Sequence, residues 1–541
     1  MKTVLVLGGY GGFGSRLCRR LDGDGWHVIV AGRSLAKAEA FAATLASAKG
    51  VALDRTADIG AVLAELAPEL VIDGAGPFQG SDYRVPDACI AQAIPYLDLA
   101  DARDFVCGIG ALDEAATAAG VAVIAGASSV PALSGAVIRH LTESCDQIDR
   151  IDIAITASDK AVAGTSVATA MLSYVGKPVR AWQGKRWIEA PGWQGAKRLR
   201  LTAHGTPRLS RLVARADVPD LDIWPRTVPG EPATHFHAGP EFGFQVRALS
   251  LLAWLVRWGW LSSLTPLAPL LRPLQGLTRR FSDGRSAMVV QVCTRSGDRI
   301  VKRRWELLAK DGHGPEIPVL AAQLLARKVA SGTLAAGARS AHAVLAIEDF
   351  DAAFAELGIS CRITEENYEP LYRRALGPAA FDRLPIPVRA LHQVCGDGGA
   401  HGEGTVERGR GLLAKLIGAF MRFPPAGAYR VHVSFTEEDG RETWTRDFGG
   451  HCFHSELSLH RGHLTERFGP MRFGFEIPTT DMRLEMRITR WSAFGIPMPL
   501  ALAPRIAASE TVRDGKFAFD VGVAMPLIGK VVHYRGTLSP L

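Results

Sequence analysis

Val4-Leu5-Val6-Leu7-Gly8-Gly9-Tyr10-Gly11-Gly12-Phe13-Gly14 opens the chain and decides its fold. The apolar run reads as a buried strand. Ser15-Arg16-Leu17-Cys18-Arg19-Arg20-Leu21 reads as a helix, so the glycines between them form a strand-to-helix turn. Gly9, Gly11 and Gly14 stand at G-x-G-x-x-G spacing. In a dinucleotide site such glycines serve three needs: a tight turn, close approach of backbone to pyrophosphate, and close packing of helix on strand. The helix that follows aims its free N–H groups and positive dipole end at the phosphates. Any flexible turn can carry these letters; the flanking strand and helix make them a cofactor signature. Gly8, Gly9, Tyr10, Gly11, Gly12, Phe13 and Gly14 are the cofactor-binding residues it predicts.

Outward from this unit, strand and helix alternate. Strand cores fall at 27–33, 51–53, 70–73, 96–99 and 121–125, and helical patterns at 35–48, 59–67, 85–93 and 105–119. Apolar strand cores separated by helices indicate a parallel sheet with right-handed crossovers, an α/β doubly wound domain of Rossmann type. The second strand ends in Gly32-Arg33-Ser34, with Lys37 a turn further on. A site selective for NAD places an acidic residue there, about 20 residues past the glycines, to bind the ribose 2′-hydroxyl. Arg33 instead suits a 2′-phosphate, with Ser34 and Lys37 as further donors, so NADP(H) is the expected cofactor.

The chain has 541 residues, 47% hydrophobic and 22% charged, with a net charge of +7. That length predicts more than one domain, and that charge favours anionic partners without bearing on fold. Eight cysteines are scattered with no Cys-x-x-Cys pair. With a strand starting at residue 2 or 3 and no signal peptide expected, a reducing cytoplasmic setting is the simplest inference.

The order Gly9-x-Gly11-x-x-Gly14, Ala31-Gly32-Arg33-Ser34, Ala75-Gly76-Pro77-Phe78, Tyr96-x-Asp98-Leu99 and Gly126-Ala127-Ser128-Ser129-Val130-Pro131 resembles the NADP-binding domain of the saccharopine dehydrogenase-like family. The match covers the first 135 residues and continues more loosely to about residue 350. The resemblance implies an oxidoreductase passing hydride from NADPH to an imine, carbonyl or activated alkene. Ligands of such sheets sit beyond the carboxyl ends of the strands. There, Gly76, Pro77 and Phe78 offer a tight backbone and an aromatic wall beside a nicotinamide. Asp98 and Asp101 are the candidate catalytic carboxylates, suited to proton transfer or to binding an amine. Ser128 and Ser129 add hydroxyls. Helix capping would explain Asp101 and Ser129 equally well.

From about residue 148 the pattern shifts to period-two alternation, as in Arg150-Ile151-Asp152-Ile153-Ala154-Ile155. Residues 131–360 read as an α+β domain carrying the substrate side and a dimer contact. In it, Gly164-Thr165-Ser166 starts a small-residue helix, as an anion-binding terminus or a plain cap. A β-hairpin turns at 296–298, and a helix at 319–331 is expected to return to the first domain. Between Arg180 and Arg215, nine Lys or Arg residues accompany only Glu189. No nucleic-acid module is recognisable, and a solvated basic strand pair is expected. Residues 248–271, rich in Leu and Trp, match a membrane span in length, but Arg257 near the middle and Pro266 and Pro269 oppose one. A lid over an apolar substrate, an oligomer contact and a helix lying in a membrane surface remain open.

Beyond residue 365 the alternation of strand and helix stops. Strands are expected at 429–435, 442–448, 451–459, 462–468, 472–477, 482–491 and 516–523, forming a mainly antiparallel β domain over 365–541 with an apolar pocket. This unit resembles an uncharacterised domain found fused to reductase-like domains. His451, His454, His460 and His463 fall on opposite faces at strand spacing, so no metal site is expected.

The expectation is therefore three domains: 1–130 for NADP, 131–360 for substrate, and 365–541 without assigned chemistry. The functional expectation is an NADPH-dependent oxidoreductase, with a lipid-like substrate favoured by the apolar segment. The alternative is a non-catalytic NADP-binding sensor or scaffold whose C-terminal domain binds a lipid or protein.

Overall fold

Six apolar strand segments supply the first layer: β1 (Thr3–Leu7), β2 (His27–Gly32), β3 (Ala48–Ala52), β4 (Leu70–Asp73), β5 (Tyr96–Asp98) and β6 (Ala122–Ala125). The computed structural model describes residues 2–160, 165–201, 208–269, 276–297, 299–480 and 483–541. In it these strands lie parallel in the order β6-β5-β4-β1-β2-β3. A seventh strand, Gly337–Ser340, extends the sheet beside β6, pairing in parallel from Gly337↔Ala122 to Ser340↔Ala125. Burial on both faces explains why strand cores such as Val4–Leu7 and Val71–Ile72 are wholly apolar. Helix Ile317–Ala330 does return to this sheet. It packs on the first helix, Gly14–Gly23, where Glu316 pairs with Arg16 and Arg20 and Asp24 with Arg327. The Rossmann unit is thus built from two separated stretches of chain.

The second layer is a seven-stranded mixed sheet. Its order is Lys197–Leu201, Leu209–Arg215, Ala233–Gly239, Gln147–Thr156, Ser286–Ser296, Arg299–Ala309 and Ser360–Asn367. Only the 233–239/147–156 pair is parallel. The expected hairpin is present, with Ser296 opposite Arg299; Asp298 in its turn, and Gly164 before helix Thr165–Ser173, lie outside the described residues. Helix Ser134–Thr142 packs against this sheet, and one continuous core joins it to the first sheet, from Val4 to Val290. Four of the nine cations in the basic stretch form ion pairs: Arg180 with Asp222, Arg186 with Asp447, Lys197 with Asp152 and Arg211 with Glu241.

The apolar segment forms helix Gly243–Arg257, which buries Val246, Leu249 and Ala253 and exposes Leu251, Trp254 and, past its end, Trp258 and Trp260. Residues 270 and 271 lie outside the described residues. Among those described, no helix is long and apolar enough to cross a membrane.

The C-terminal domain is a closed barrel. Ten antiparallel strands run as a meander, from Asp397–Arg408 and Gly427–Glu438 through to Lys516–Met525 and Gly529–Pro540. Each main strand pairs with the next, the sheet continues across the Met471–Glu476/Arg483–Ala493 contact, and the last strand returns to the first. Among the described residues, closure pairs each of the ten main strands on both sides. His451 and His454 lie exposed on one strand, while His460 and His463 face each other across a turn. Among the described residues no group of three or more His, Cys, Asp or Glu side chains is placed to hold a metal ion.

Candidate functional site

The glycine turn is held by its own backbone. Gly9 N–H donates to Ala31 O (3.0 Å) and Gly11 N–H to Gly8 O (2.8 Å). Gly8 sits at φ +69°, where a Cβ would press on Gly74 O at 2.9 Å. A Cβ on Gly14 would lie 2.1 Å from Gly8 O, so this glycine lets the helix start against the turn, whereas one on Gly12 would meet nothing within 4 Å. The N–H groups of Gly12 and Phe13 have no partner among the described residues. Free donors at a helix start beside open space form an anion cradle, and a pyrophosphate fits it.

Tyr10 and Phe13 pack half-buried against the core. The Tyr10 ring occupies the space a side chain at Gly32 would need, and its hydroxyl accepts from Ser34 N–H at 3.1 Å. Arg33 and Lys37 are exposed at the end of β2 and make no ion pair among the described residues. Arg33 lies near enough to Asp54 to help hold that carboxyl below its usual range, behind the larger effect of the Thr56 hydrogen bonds. Two exposed cations thus stand just past the end of β2, with Ser34 between them in sequence.

The loop after β4 departs from expectation. Gly76 is half-buried and Pro77 exposed, but the Phe78 ring is only 3% accessible, packed on Phe105 at 5.3 Å and covered by the Arg55 guanidinium at 5.0 Å. It belongs to the core and cannot wall a nicotinamide; apolar contact with Phe105 outweighs exposure at the crevice. Arg55 also pairs with the buried Asp73 at 3.3 Å, and burial raises that carboxyl while Arg55 draws it back.

Asp98 lies beside Asp73 in register and is fully buried. Its Oδ1 accepts from Gly126 N–H (2.8 Å) and Ala100 N–H (2.9 Å), which ties the loop after β5 to that after β6. Burial pushes its carboxyl up to about 7, against those two hydrogen bonds. It shapes the crevice and is shut off from substrate. Asp101 is exposed and accepts from Gln79 Nε2 at 3.2 Å. Protein atoms crowding it raise its carboxyl above the usual range. Across from it stands Tyr174 of the second domain, whose phenol is raised by burial and further by the Asp101 charge. Ser128 is half-buried and Ser129 buried, and no capping hydrogen bond from Ser128 is present.

Three residues around this crevice carry no sequence signal: Gln79, Tyr174 and Arg103. Arg103, five residues after Asp98, binds Asp222 through two hydrogen bonds (2.9 and 2.8 Å) and Asp217 at 3.1 Å. This buried junction fixes the first domain to the second. Trp187 stacks under Arg180 at 4.5 Å beside it.

Residues 4–124 match the family model described as the saccharopine dehydrogenase NADP binding domain, and residues 384–538 match a domain of unknown function, DUF4166. None of the curated proteins matches the chain in sequence. Among solved structures, apo saccharopine dehydrogenase (L-Glu forming) from Saccharomyces cerevisiae is similar over 68% of this chain and 100% of its own, at 15% identity and a TM-score of 0.50. A short-chain dehydrogenase/reductase family oxidoreductase from Burkholderia thailandensis matches at 20% identity over 18% of this chain, with a TM-score of 0.16. BdcA in complex with NADPH gives the same three values. This chain spans half the length of each of these two. The cradle and the family model agree on a nicotinamide dinucleotide as the cofactor. The chain thus joins a region that matches the saccharopine dehydrogenase NADP binding domain, in a fold like that of saccharopine dehydrogenase, to a barrel that matches DUF4166.

Proposed function

We propose that this protein is an NADPH-dependent oxidoreductase that reduces an imine, carbonyl or activated alkene of a lipid-like substrate, in the crevice between its first two domains. The observation that carries the reading is the glycine cradle with Arg33 and Lys37 left unpaired at the end of β2. Bound there, the nicotinamide would supply a hydride. The chain's part is to deliver a proton to the substrate heteroatom and to hold the substrate. Asp101 suits proton delivery, because it is accessible, oriented by Gln79, and its raised carboxyl keeps a proton closer to neutral pH. Tyr174 offers a second donor from the facing domain. Asp98 acts at one remove, by fixing Gly126 and Ala100.

Support for a lipid-like substrate comes from helix Gly243–Arg257. It packs on the segments next to Tyr174 and Trp193: Ser250 Oγ donates to Trp193 O at 2.6 Å, and Ala253 lies against Gly176. Its outer face exposes Leu251, Trp254 and Phe244, and no Asp or Glu occurs from residue 242 to 282. An apolar, tryptophan-bearing, acid-free face suits a helix lying in a membrane surface, with the crevice behind it.

Titration with NADPH and NADH, followed by cofactor fluorescence, tests the cofactor reading. Arg33→Ala is expected to weaken NADPH about 10- to 100-fold, the loss of a charge-assisted contact, and to leave NADH unchanged. Equal affinity for both cofactors, unaltered by Arg33→Ala, would refute it. NADPH oxidation against acyl, aldehyde and imine panels tests the chemistry, with kcat expected to fall about 10²- to 10⁴-fold in Asp101→Asn. Silence across the panels would argue for a sensor.

A further inference from the structure

The barrel has two unlike ends. Its first strand leaves the second domain at Asp397, whose Oδ1 accepts from Gly184 N–H at 2.7 Å, and runs outward to Arg408. Arg150 grips the same end, donating to Gly396 O (3.2 Å) and Glu437 O (3.0 Å). Because the strands form a simple meander, alternate connections fall at alternate ends. Turns such as 439–440, 461–462 and 514–515 lie at this base, and 409–426, 449–450, 469–470, 494–504 and 526–528 lie at the far end. Short helices Leu371–Leu376 and Ile386–Leu391 pack on the barrel wall and carry Tyr372 and His392 into its core.

Inside is a cavity of 140 Å³ walled mainly by apolar side chains, such as Phe473, Phe519, Met471 and Met486, with Arg446, Glu466 and Glu510 also reaching it. Space of this size, with so many aromatic and methionine side chains, has room for a ring-sized apolar group. The charges that reach it are already matched. Arg446 stands 4.0 Å from Glu466 and donates to Ser455 Oγ at 2.9 Å, and Glu510 meets the His392 ring at 2.5 Å. Such a chamber favours the apolar end of a molecule without net charge.

The far end is capped by helix Leu412–Phe420. Ile417 and, just past its end, Met421 face the cavity, and Phe423 reaches across to Phe453 and Phe468 at 5.4 and 5.6 Å. The outer face of this helix exposes Leu412, Leu413, Leu416 and Phe420, the first 74% and the last 70% accessible. At the same end Phe494, Ile496, Leu500 and Leu527 are also exposed. The charge is one-sided. In the far-end connections, residues 409–426 hold Arg410, Lys415 and Arg422 and Arg505 follows 494–504, with no Asp or Glu in either connection, and the neighbouring Glu407 is paired with Lys530.

We propose that this end of the barrel docks on an anionic lipid bilayer, and that the cavity receives the apolar part of an uncharged lipid drawn from it under the cap helix. Exposed leucines and phenylalanines enter the hydrocarbon boundary while the arginines meet the headgroups. A protein partner would be expected to answer this cationic rim with carboxylates of its own; a bilayer answers both the apolar and the charged component over one broad surface.

The test uses the full chain, vesicles of phosphatidylcholine with and without phosphatidylglycerol, and Nile red as an uncharged cavity probe. The wild type is expected to sediment with the anionic vesicles and to bind Nile red saturably. Combined Leu412→Ser, Leu416→Ser and Phe420→Ser should cut vesicle affinity about tenfold or more, since the three withdrawn side chains together remove at least the ~1.4 kcal/mol of a factor of ten, and should keep Nile red binding. Ala508→Trp, or Val521→Trp if that variant does not fold, should do the reverse. Trp258→Ser with Trp260→Ser probes the other apolar face and leaves the rim intact. Vesicle binding lost in that pair and kept in the rim variant would overturn the proposal. So would indifference to phosphatidylglycerol, absence of saturable Nile red binding, or a dimer that the rim changes dissociate without altering sedimentation.

Discussion

Gly12 and Gly14 stand two residues apart in one turn and are expected to fail in opposite ways. A methyl on Gly14 would sit 2.1 Å from the Gly8 carbonyl oxygen, about 1 Å inside the closest approach such atoms tolerate. The helix start must then move off the turn, an overpacking cost of about 1–3 kcal/mol. At ~2–4 °C per kcal/mol, Gly14→Ala should lower the melting temperature by about 2–12 °C without any ligand present. A methyl on Gly12 meets no protein atom within 4 Å. Gly12→Ala should therefore melt like the wild type, yet intrude where a pyrophosphate would lie. It should weaken NADPH by ~1–3 kcal/mol, about 5- to 150-fold. Differential scanning fluorimetry without cofactor, followed by fluorescence titration with NADPH, separates the two effects. The cradle assignment is refuted if Gly12→Ala binds NADPH as tightly as the wild type. The packing argument is refuted if Gly14→Ala melts unchanged.

Arg103→Met removes the cation shared by Asp222 and Asp217 at the junction of the first two domains; stranding buried carboxylates should cost about 3–5 kcal/mol in chemical denaturation. A loss under 1 kcal/mol would mean that Arg180 and Arg226, the other cations near Asp222, already suffice. Asp98 gives a pH dependence. Its carboxyl is raised to about 7 in the folded chain, so folding favours the protonated form. Its contribution is fully present below the unfolded value of ~4 and is lost as pH rises through 7. Asp98→Asn keeps an acceptor for Gly126 and Ala100 and cannot ionise. The wild type should thus lose stability relative to this variant between about pH 4 and 7 in urea titrations, and a gap of the opposite sign would contradict the burial argument.

What the sequence disclosed follows from how local each signal is. Gly9, Gly11 and Gly14 lie within one turn, and Val4–Leu7 is apolar because both of its faces are covered, so the first sheet is readable from a few residues at a time. The barrel was legible as strands and illegible as a closed ring. Its first strand carries Gly398, Gly399, Gly402 and Gly404, which read as loop. Packing demands them: a Cβ on Gly402 would lie 1.9 Å from Thr537 O, and one on Gly536 2.1 Å from Glu403 O. The closing strand pair is pinched together, and only its distant partner explains the composition. The same limit hid Tyr174, brought opposite Asp101 by the mixed sheet and not by any spacing in the chain. Phe78 misled for a related reason, since an aromatic after a strand end is apolar first and a ligand wall only where the core leaves it free.

The seventh strand of the first sheet, Gly337–Ser340, has a consequence for how the molecule can be made. The cofactor half and the whole second domain are threaded so that the ribosome must deliver residue 340 before β6 gains its neighbour and Gly14–Gly23 its helical partner. A fragment ending near residue 130 would present β6 as a bare hydrogen-bonding edge and an uncovered apolar flank, the features that recruit chaperones and seed aggregates. The nucleotide-binding half is thus begun first but completed only after most of the second domain, and a cut that excises the two together belongs after Asn367, so that the second sheet keeps its strand Ser360–Asn367.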